Sequence, residues 1–147
     1  MKTNTTKWAL TALIACSMLF SCKKEMSTPS TCEISMNGLS GSYKLTSLQY
    51  RANGTTAPVD YLSSMEDCEK DDILVLKNNG MYEYNDLGTA CKDSEPEHGT
   101  WTVKGNTLST DGTLHGTISS YDCKTMVYYI DDAIVKGDRI IFTMTKQ

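Results

Sequence analysis

Apolar positions along this chain follow two different rhythms. Between Trp8 and Phe20 they form one uncharged run of 13 residues, preceded by Lys2 and Lys7 and followed by no acid before Glu25. A bilayer core of about 30 Å needs roughly 20 apolar residues in a helix. A secretory h-region needs only about 7 to 15, so this run predicts export and removal rather than a membrane span. From Leu39 onward the apolar residues come instead in short alternating runs separated by turn residues, the period of half-buried strands.

The strand runs can be placed one by one. "GSYKLTSLQYRA" (41–52) puts Tyr43 and Leu45 on one face and Leu48 and Tyr50 on the other, so its phase changes near Ser47, as a β-bulge would make it do. A long connection follows (53–71), in which Asp60 is placed to cap a single helical turn through Met65. "DILVLKNNGMYEYND" (72–86) predicts a hairpin: "ILVL" is a buried-type strand, Asn78, Asn79 and Gly80 are suited to positive φ, and Tyr82 and Tyr84 share a face. "GTWTVKGNTLST" (99–110) repeats the device around Gly105 and Asn106, and "DGTLHGTISS", "CKTMVYYID" and "GDRIIFTMTK" supply three more strands. The expected fold is all-β, an antiparallel up-and-down barrel of about eight strands, because closure removes exposed edges. A two-sheet sandwich is the competing solution.

Composition narrows the setting. Of 147 residues, 126 remain once 1–21 are removed, which is one domain's worth of chain. With Lys2 and Lys7 gone, 12 basic residues face 18 acidic ones, a net charge of −6. That balance argues against nucleic acid or anionic headgroups as the main partner. Setting Cys16 and Cys22 aside leaves Cys32, Cys68, Cys91 and Cys123, an even number in an exported chain. Four cysteines allow three connectivities. Cys68 with Cys91 plus Cys32 with Cys123 is favoured, since Cys68 and Cys91 bracket a hairpin-like segment whose closure contributes about 3 kcal/mol on the chain-entropy model. No CxxC or HxxxH spacing marks a zinc site, and no metal is expected.

Two resemblances add to this. Leu19, Phe20, Ser21 and Cys22 resemble the lipobox of bacterial lipoproteins, in which the cysteine is diacylated and becomes the mature N-terminus; Leu13, Ile14, Ala15 and Cys16 form a second such tetrapeptide, but cutting there would leave "SMLF" exposed. Lipidation at Cys22 divides the chain into a signal (1–21), a lipidated cysteine with a polar tether (22–38) and a barrel (39–147). Two acyl chains hold a protein stably on a membrane without any helix. With Lys23 after the cysteine, the resemblance implies the outer membrane, on its periplasmic face or the cell surface. The order "GSYKL", then "CEKDDILVLKNNGMYEY", then a cysteine and "GTWTVKGNTL" resembles the lipocalin-like domain of many Bacteroidota lipoproteins, with Tyr43 where that family commonly has Trp. That resemblance implies an eight-stranded barrel and leaves the ligand unnamed.

The chain carries little that suggests catalysis. His98 and His115 fall on separate strands with no nucleophile motif beside them, there is no phosphate loop and no GxSxG, and no enzyme activity or cofactor is expected. The acidic residues Glu66, Asp67, Glu69, Asp71 and Asp72 around Cys68 lack the alternating spacing and central glycine of a calcium loop and are read as a solvated loop, which the favoured disulfide would set beside "CKDSEPEH" (91–98). What stands out is tyrosine on the strands. Tyr43, Tyr82, Tyr84, Tyr128 and Phe142 are the candidate ligand-binding residues, while Trp101 is expected to close the barrel floor. The chain is therefore read as a monomeric, membrane-anchored binder of a small, mostly apolar molecule. The alternative is a barrel filled by its own side chains that binds a protein or glycan through its loops. A cavity above about 300 Å³ separates the two.

Overall fold

The computed structural model describes residues 32–91, 97–111 and 114–147, except for the side chain of Leu114. Cys16, Cys22 and the segment read as signal lie outside the described residues, as does most of the tether. No helix among the described residues is long and apolar enough to cross a membrane.

A four-residue helix α1 (Met36–Leu39) leads into the long strand β1 (Gly41–Arg51). After it come a two-residue strand β2 (Val59–Asp60), a 3₁₀ turn (Leu62–Ser64) and a second short helix α2 (Asp67–Lys70). Seven strands complete the chain: β3 (Ile73–Leu76), β4 (Met81–Asn85), β5 (Glu97–Lys104), β6 (Thr107–Thr110), β7 (Leu114–Tyr121), β8 (Thr125–Asp131) and β9 (Arg139–Lys146). Each strand from β3 to β9 pairs antiparallel with the next, β1 pairs with β3, and β9 returns to pair with β1. The result is a closed eight-stranded barrel, with β2 as an extra strand on the upper half of β1. A sandwich is excluded by the β1–β9 closure.

The bulge expected near Ser47 is present, as a register shift between Leu45 and Ser47 opposite β9. It explains the phase change. Tyr43 and Leu45 point inward before it, and the extra residue returns Leu48 and Tyr50 to the interior, where they sit opposite Phe142 and Ile140. Asp60 accepts from Leu62 N at 3.0 Å, but from one position ahead of the cap: the 3₁₀ turn has Tyr61 at its N-cap, without a side-chain bond, and ends at Ser64 with Met65 as its C-cap. At the 77–80 hairpin, positive φ falls on Gly80 (84°) and not on Asn78 or Asn79; Asn79 instead accepts from Met81 N through its side chain at 3.1 Å.

Strand directions sort the connections into two ends. One end holds the start of β1, the 77–80 and 105–106 turns, the 122–124 turn and the C-terminus; the other holds the 52–72 and 132–138 connections, residues 86–91 and Asp111. The first end is plugged. Ser35 caps α1 by accepting from Gly38 N at 3.1 Å, and Leu39, with no exposed surface, drops into the barrel. Tyr43 donates to Leu39 O at 2.7 Å, Tyr121 to Gly38 O at 2.6 Å and Lys146 Nζ to Gly38 O at 3.2 Å. Trp101 is buried at this same end and donates Nε1–H to Lys77 O at 2.9 Å, so it closes the floor. Leu76, Leu108, Ile118, Met126 and Met144 fill the interior above it.

The two disulfides join Cys32 to Cys123 and Cys68 to Cys91. The first ties the chain ahead of α1 to the 122–124 turn at the plugged end. The second ties α2 to the 86–96 connection at the opposite end. Part of the segment read as tether, residues 32–38, thus packs on the barrel.

Candidate ligand-binding site

Among the described residues, the end opposite α1 is open. Leu48, Tyr50, Ile140 and Phe142 project from β1 and β9 into the barrel, Tyr61 leans over from the 52–72 connection, and Ile134 from the 132–138 connection; together with Gln49 they enclose about 200 Å³. Tyr61 meets Tyr50 edge-on with ring centres 5.7 Å apart, and Phe142 lies flat on Tyr128 at 4.7 Å. Past that stack is a smaller recess of about 40 Å³ among Leu74, Leu76, Leu108, Gly116 and Ile130. Gly116 makes room for the stack, since a Cβ there would come within 2.9 Å of the Tyr128 ring.

Beside the cavity, one polar pair is engaged with itself. Tyr50 donates its hydroxyl to Asp138 Oδ2 at 3.2 Å, and the same carboxylate accepts from Val135 N at 2.9 Å and Ile134 N at 3.1 Å. Burial alone would raise the Asp138 carboxyl, but the Val135 and Ile134 N–H groups and the Tyr50 hydroxyl overcome this and hold it below the ordinary carboxylate range. Tyr50 itself is pushed up, by burial and by the carboxylate it serves. A molecule entering the cavity meets aromatic and aliphatic surface.

Residues 39–128 match the family model of the lipocalin-like domain. The chain belongs to the lipocalin-like domain family. No curated protein matches it. The matched stretch runs from the end of α1 into β8, and β9, which closes this lipocalin-like barrel against β1, lies beyond it.

Within the lipocalin-like barrel the five sequence candidates separate. Phe142 lines the mouth cavity and Tyr128 the recess behind it. Tyr84 shares the inward face of β4 with Tyr82; burial pushes Tyr128 up and Tyr84 adds to it, while Tyr84 itself is pushed up by burial and by Asp72, Glu69 and Glu97. Tyr43 is at the plugged end, fully buried, with its hydroxyl on Leu39. Tyr82 turns its hydroxyl to Glu97 Oε1 at 2.8 Å and Asp111 Oδ2 at 3.0 Å, and its own acidity is suppressed first by Glu97, then by burial and Asp111. Leu48, Tyr50, Tyr61, Ile134 and Ile140 were not among the candidates. For Leu48 and Tyr50 the signal that could have found them was the bulge, which re-phases the second half of β1.

The remaining chemistry lies elsewhere. His98 and His115 are exposed; His115 Nδ1 pairs with Ser109 Oγ at 2.7 Å on the outer face of the barrel, beside Thr102, Lys104 and Thr107. Glu66, Cys68 and Cys91 come together, but both sulfurs are spent in the disulfide. Asp71, Asp72 and Asp86 also converge, their nearest oxygens within 4.8 Å of one another, and Asp71 Oδ1 and Asp72 Oδ1 are buried without a hydrogen-bond donor. Burial raises the Asp72 carboxyl, and Asp86, Asp71 and Glu69 push it further in the same direction. A folded-state pKa above the unfolded one disfavours the folded carboxylate, a penalty in force at neutral pH and absent below the unfolded carboxylate range. Asp72→Asn is therefore expected to raise the thermal midpoint at pH 7. The gain should shrink as the pH is lowered toward 3, and calorimetry across that range checks it.

Proposed function

We propose that this lipocalin-like protein is a non-catalytic carrier or sensor that takes a small, mostly apolar molecule into the mouth of its barrel. The observation that carries the reading is the cavity bounded by Leu48, Tyr50, Tyr61, Ile134, Ile140 and Phe142 at the end away from the α1 plug. At about 200 Å³ it falls short of the roughly 300 Å³ expected to mark an open barrel over a filled one, so this reading holds only for a ligand whose buried part is a single ring or a short branched or linear chain. Native mass spectrometry of the protein purified from its own producing cells is expected to show a copurifying mass that denaturation removes. Leu48→Trp, which puts an indole into the cavity, should abolish that mass while leaving the fold intact by circular dichroism. Retention of the same mass by the Trp variant would place the ligand elsewhere and end this reading.

A rim of exposed apolar side chains surrounds the same mouth, with Val59 58%, Leu87 67%, Ile134 67% and Val135 55% accessible. It favours, as a second reading, a barrel that meets a protein partner through these loops. Capture of a partner that Leu48→Trp leaves unchanged and Val135→Lys weakens would support that reading over the first.

The membrane belongs to the proposal as well. The lipobox-like Leu19–Cys22 segment supports acylation of Cys22 and an outer-membrane anchor, with the tether reaching the barrel at its plugged end through Cys32. In a bacterial host the mature protein is expected to partition into Triton X-114 and to gain the mass of a diacylglyceryl group. Cys22→Ser should move it to the aqueous phase; a variant that still partitions into detergent sinks the anchor at Cys22.

A further inference from the structure

The cavity's outer wall is made by a residue with little side-chain packing of its own. Ile134 is 67% exposed, yet its remaining surface lines the cavity across from Leu48 and Phe142. What fixes it is its backbone. Ile134 N and Val135 N both bond to Asp138 Oδ2, Asp132 N donates to Asp138 O at 3.0 Å, and Gly137 N donates to Asp132 Oδ1 at 2.6 Å. The connection is thus wrapped around one carboxylate, and that carboxylate is 1% exposed beneath it. At the two ends of the wrap, Asp132 (φ 53°) and Gly137 (φ 91°) occupy the left-handed region. The connection thus leaves and re-enters the barrel wall at two turn positions that are joined to each other by the Gly137 N–Asp132 Oδ1 bond.

Asp138 has one further partner, and it faces the cavity. Tyr50 presents its ring to the cavity and its hydroxyl to Asp138 Oδ2. A ligand that pushes on the Tyr50 ring therefore pulls on the bond that holds the 132–138 connection down.

We propose that the 132–138 connection is a cap over the cavity, latched by the Tyr50–Asp138 hydrogen bond, and that it must lift for an apolar molecule to pass. This rests on the reading of the cavity as a ligand site. Tyr50 and Asp138 are positioning residues in it. They set how often the cap opens and contribute little to how tightly the closed site holds its occupant. Removing the Tyr50 hydroxyl deletes one hydrogen bond of the closed state and leaves the ring in place, so entry and exit should accelerate together while their ratio hardly moves.

The test uses the mature protein, its Tyr50→Phe variant and toluene as the probe, followed by nuclear magnetic resonance. In the variant, exchange of the Ile134 and Val135 amide protons with solvent is expected to be roughly three- to tenfold faster, the factor that one net hydrogen bond is worth. The association and dissociation rates of toluene should rise by a similar factor, with Kd within about twofold. Ile134→Ala, which trims the cap's side chain and keeps a Cβ on the backbone, should speed entry and leave the Val135 amide as protected as in the parent. Toluene that binds at an unchanged rate in Tyr50→Phe, or amides whose exchange does not respond, would overturn the cap while leaving the ligand site standing. Toluene that perturbs no residue of the cavity in the parent protein would overturn both.

Discussion

Cys32→Ser with Cys123→Ser is expected to lower the unfolding free energy by about 4–5 kcal/mol, enough to leave a domain of this size marginally folded. The bridge closes a loop with a sequence separation of 91, and constraining so long a loop in the unfolded chain is where the chain-entropy model places most of a disulfide's stabilisation. The local consequence is as large. Cys32 holds the approach to α1 against the 122–124 turn, and α1 carries Leu39 into the barrel and offers its last carbonyls to Tyr43, Tyr121 and Lys146. Freed at Cys32, α1 can leave, and the barrel floor then exposes those hydroxyls and the apolar surface around Tyr43. Removing Cys68 and Cys91 instead opens a loop of separation 23, for which the same model gives about 3 kcal/mol. Urea denaturation of the two double variants should keep that order, and a larger loss from the Cys68–Cys91 pair would show that the plug is not held by its disulfide.

Trp101→Ala is expected to cost about 3–5 kcal/mol from the cavity alone. Trp101 is 1% exposed on β5, pairs its N–H with Gly80 O at 2.8 Å, and fills the floor beneath the core cluster. Its indole N–H also satisfies Lys77 O, the carbonyl that opens the 77–80 turn. Trp101→Phe separates the two contributions. It keeps most of the apolar volume and removes one of the two donors to Lys77 O, leaving Gly80 N at 3.0 Å, and a loss of about 0.5–1.5 kcal/mol is expected from that. If Trp101→Phe is as damaging as Trp101→Ala, the hydrogen bond to the turn outweighs the packing and the floor is held mainly by Lys77 O.

Much of the barrel could be read from alternation and turn chemistry, because in an antiparallel meander both are local. The bulge at Leu45–Ser47, the turns at Gly80 and Gly105 and the strand count all follow from residues within a few positions of one another. The plug was not legible in the same way. A four-residue helix has too few turns to show a period, and the Ser35 cap on Gly38 N is a signal that many non-helical turns share. The site was half legible for a further reason. Parity along a strand tells which side chains point inward, but not how far up the barrel each one sits. Tyr43 and Phe142 both point inward, yet Tyr43 is buried under α1 and Phe142 reaches the mouth. Height is set by hairpin order and by the bulge, and Ile134 and Tyr61 come from connections that no strand pattern describes.

The central claim is that the open end of this lipocalin-like barrel holds a small apolar molecule. The most direct measurement is a toluene titration of the methyl-labelled protein. Shifts that saturate at the Leu48, Ile134 and Ile140 methyls and vanish in Leu48→Trp are the result predicted here. Shifts absent from those methyls, or confined to Val59, Leu87 and Val135 on the outer rim, would contradict it.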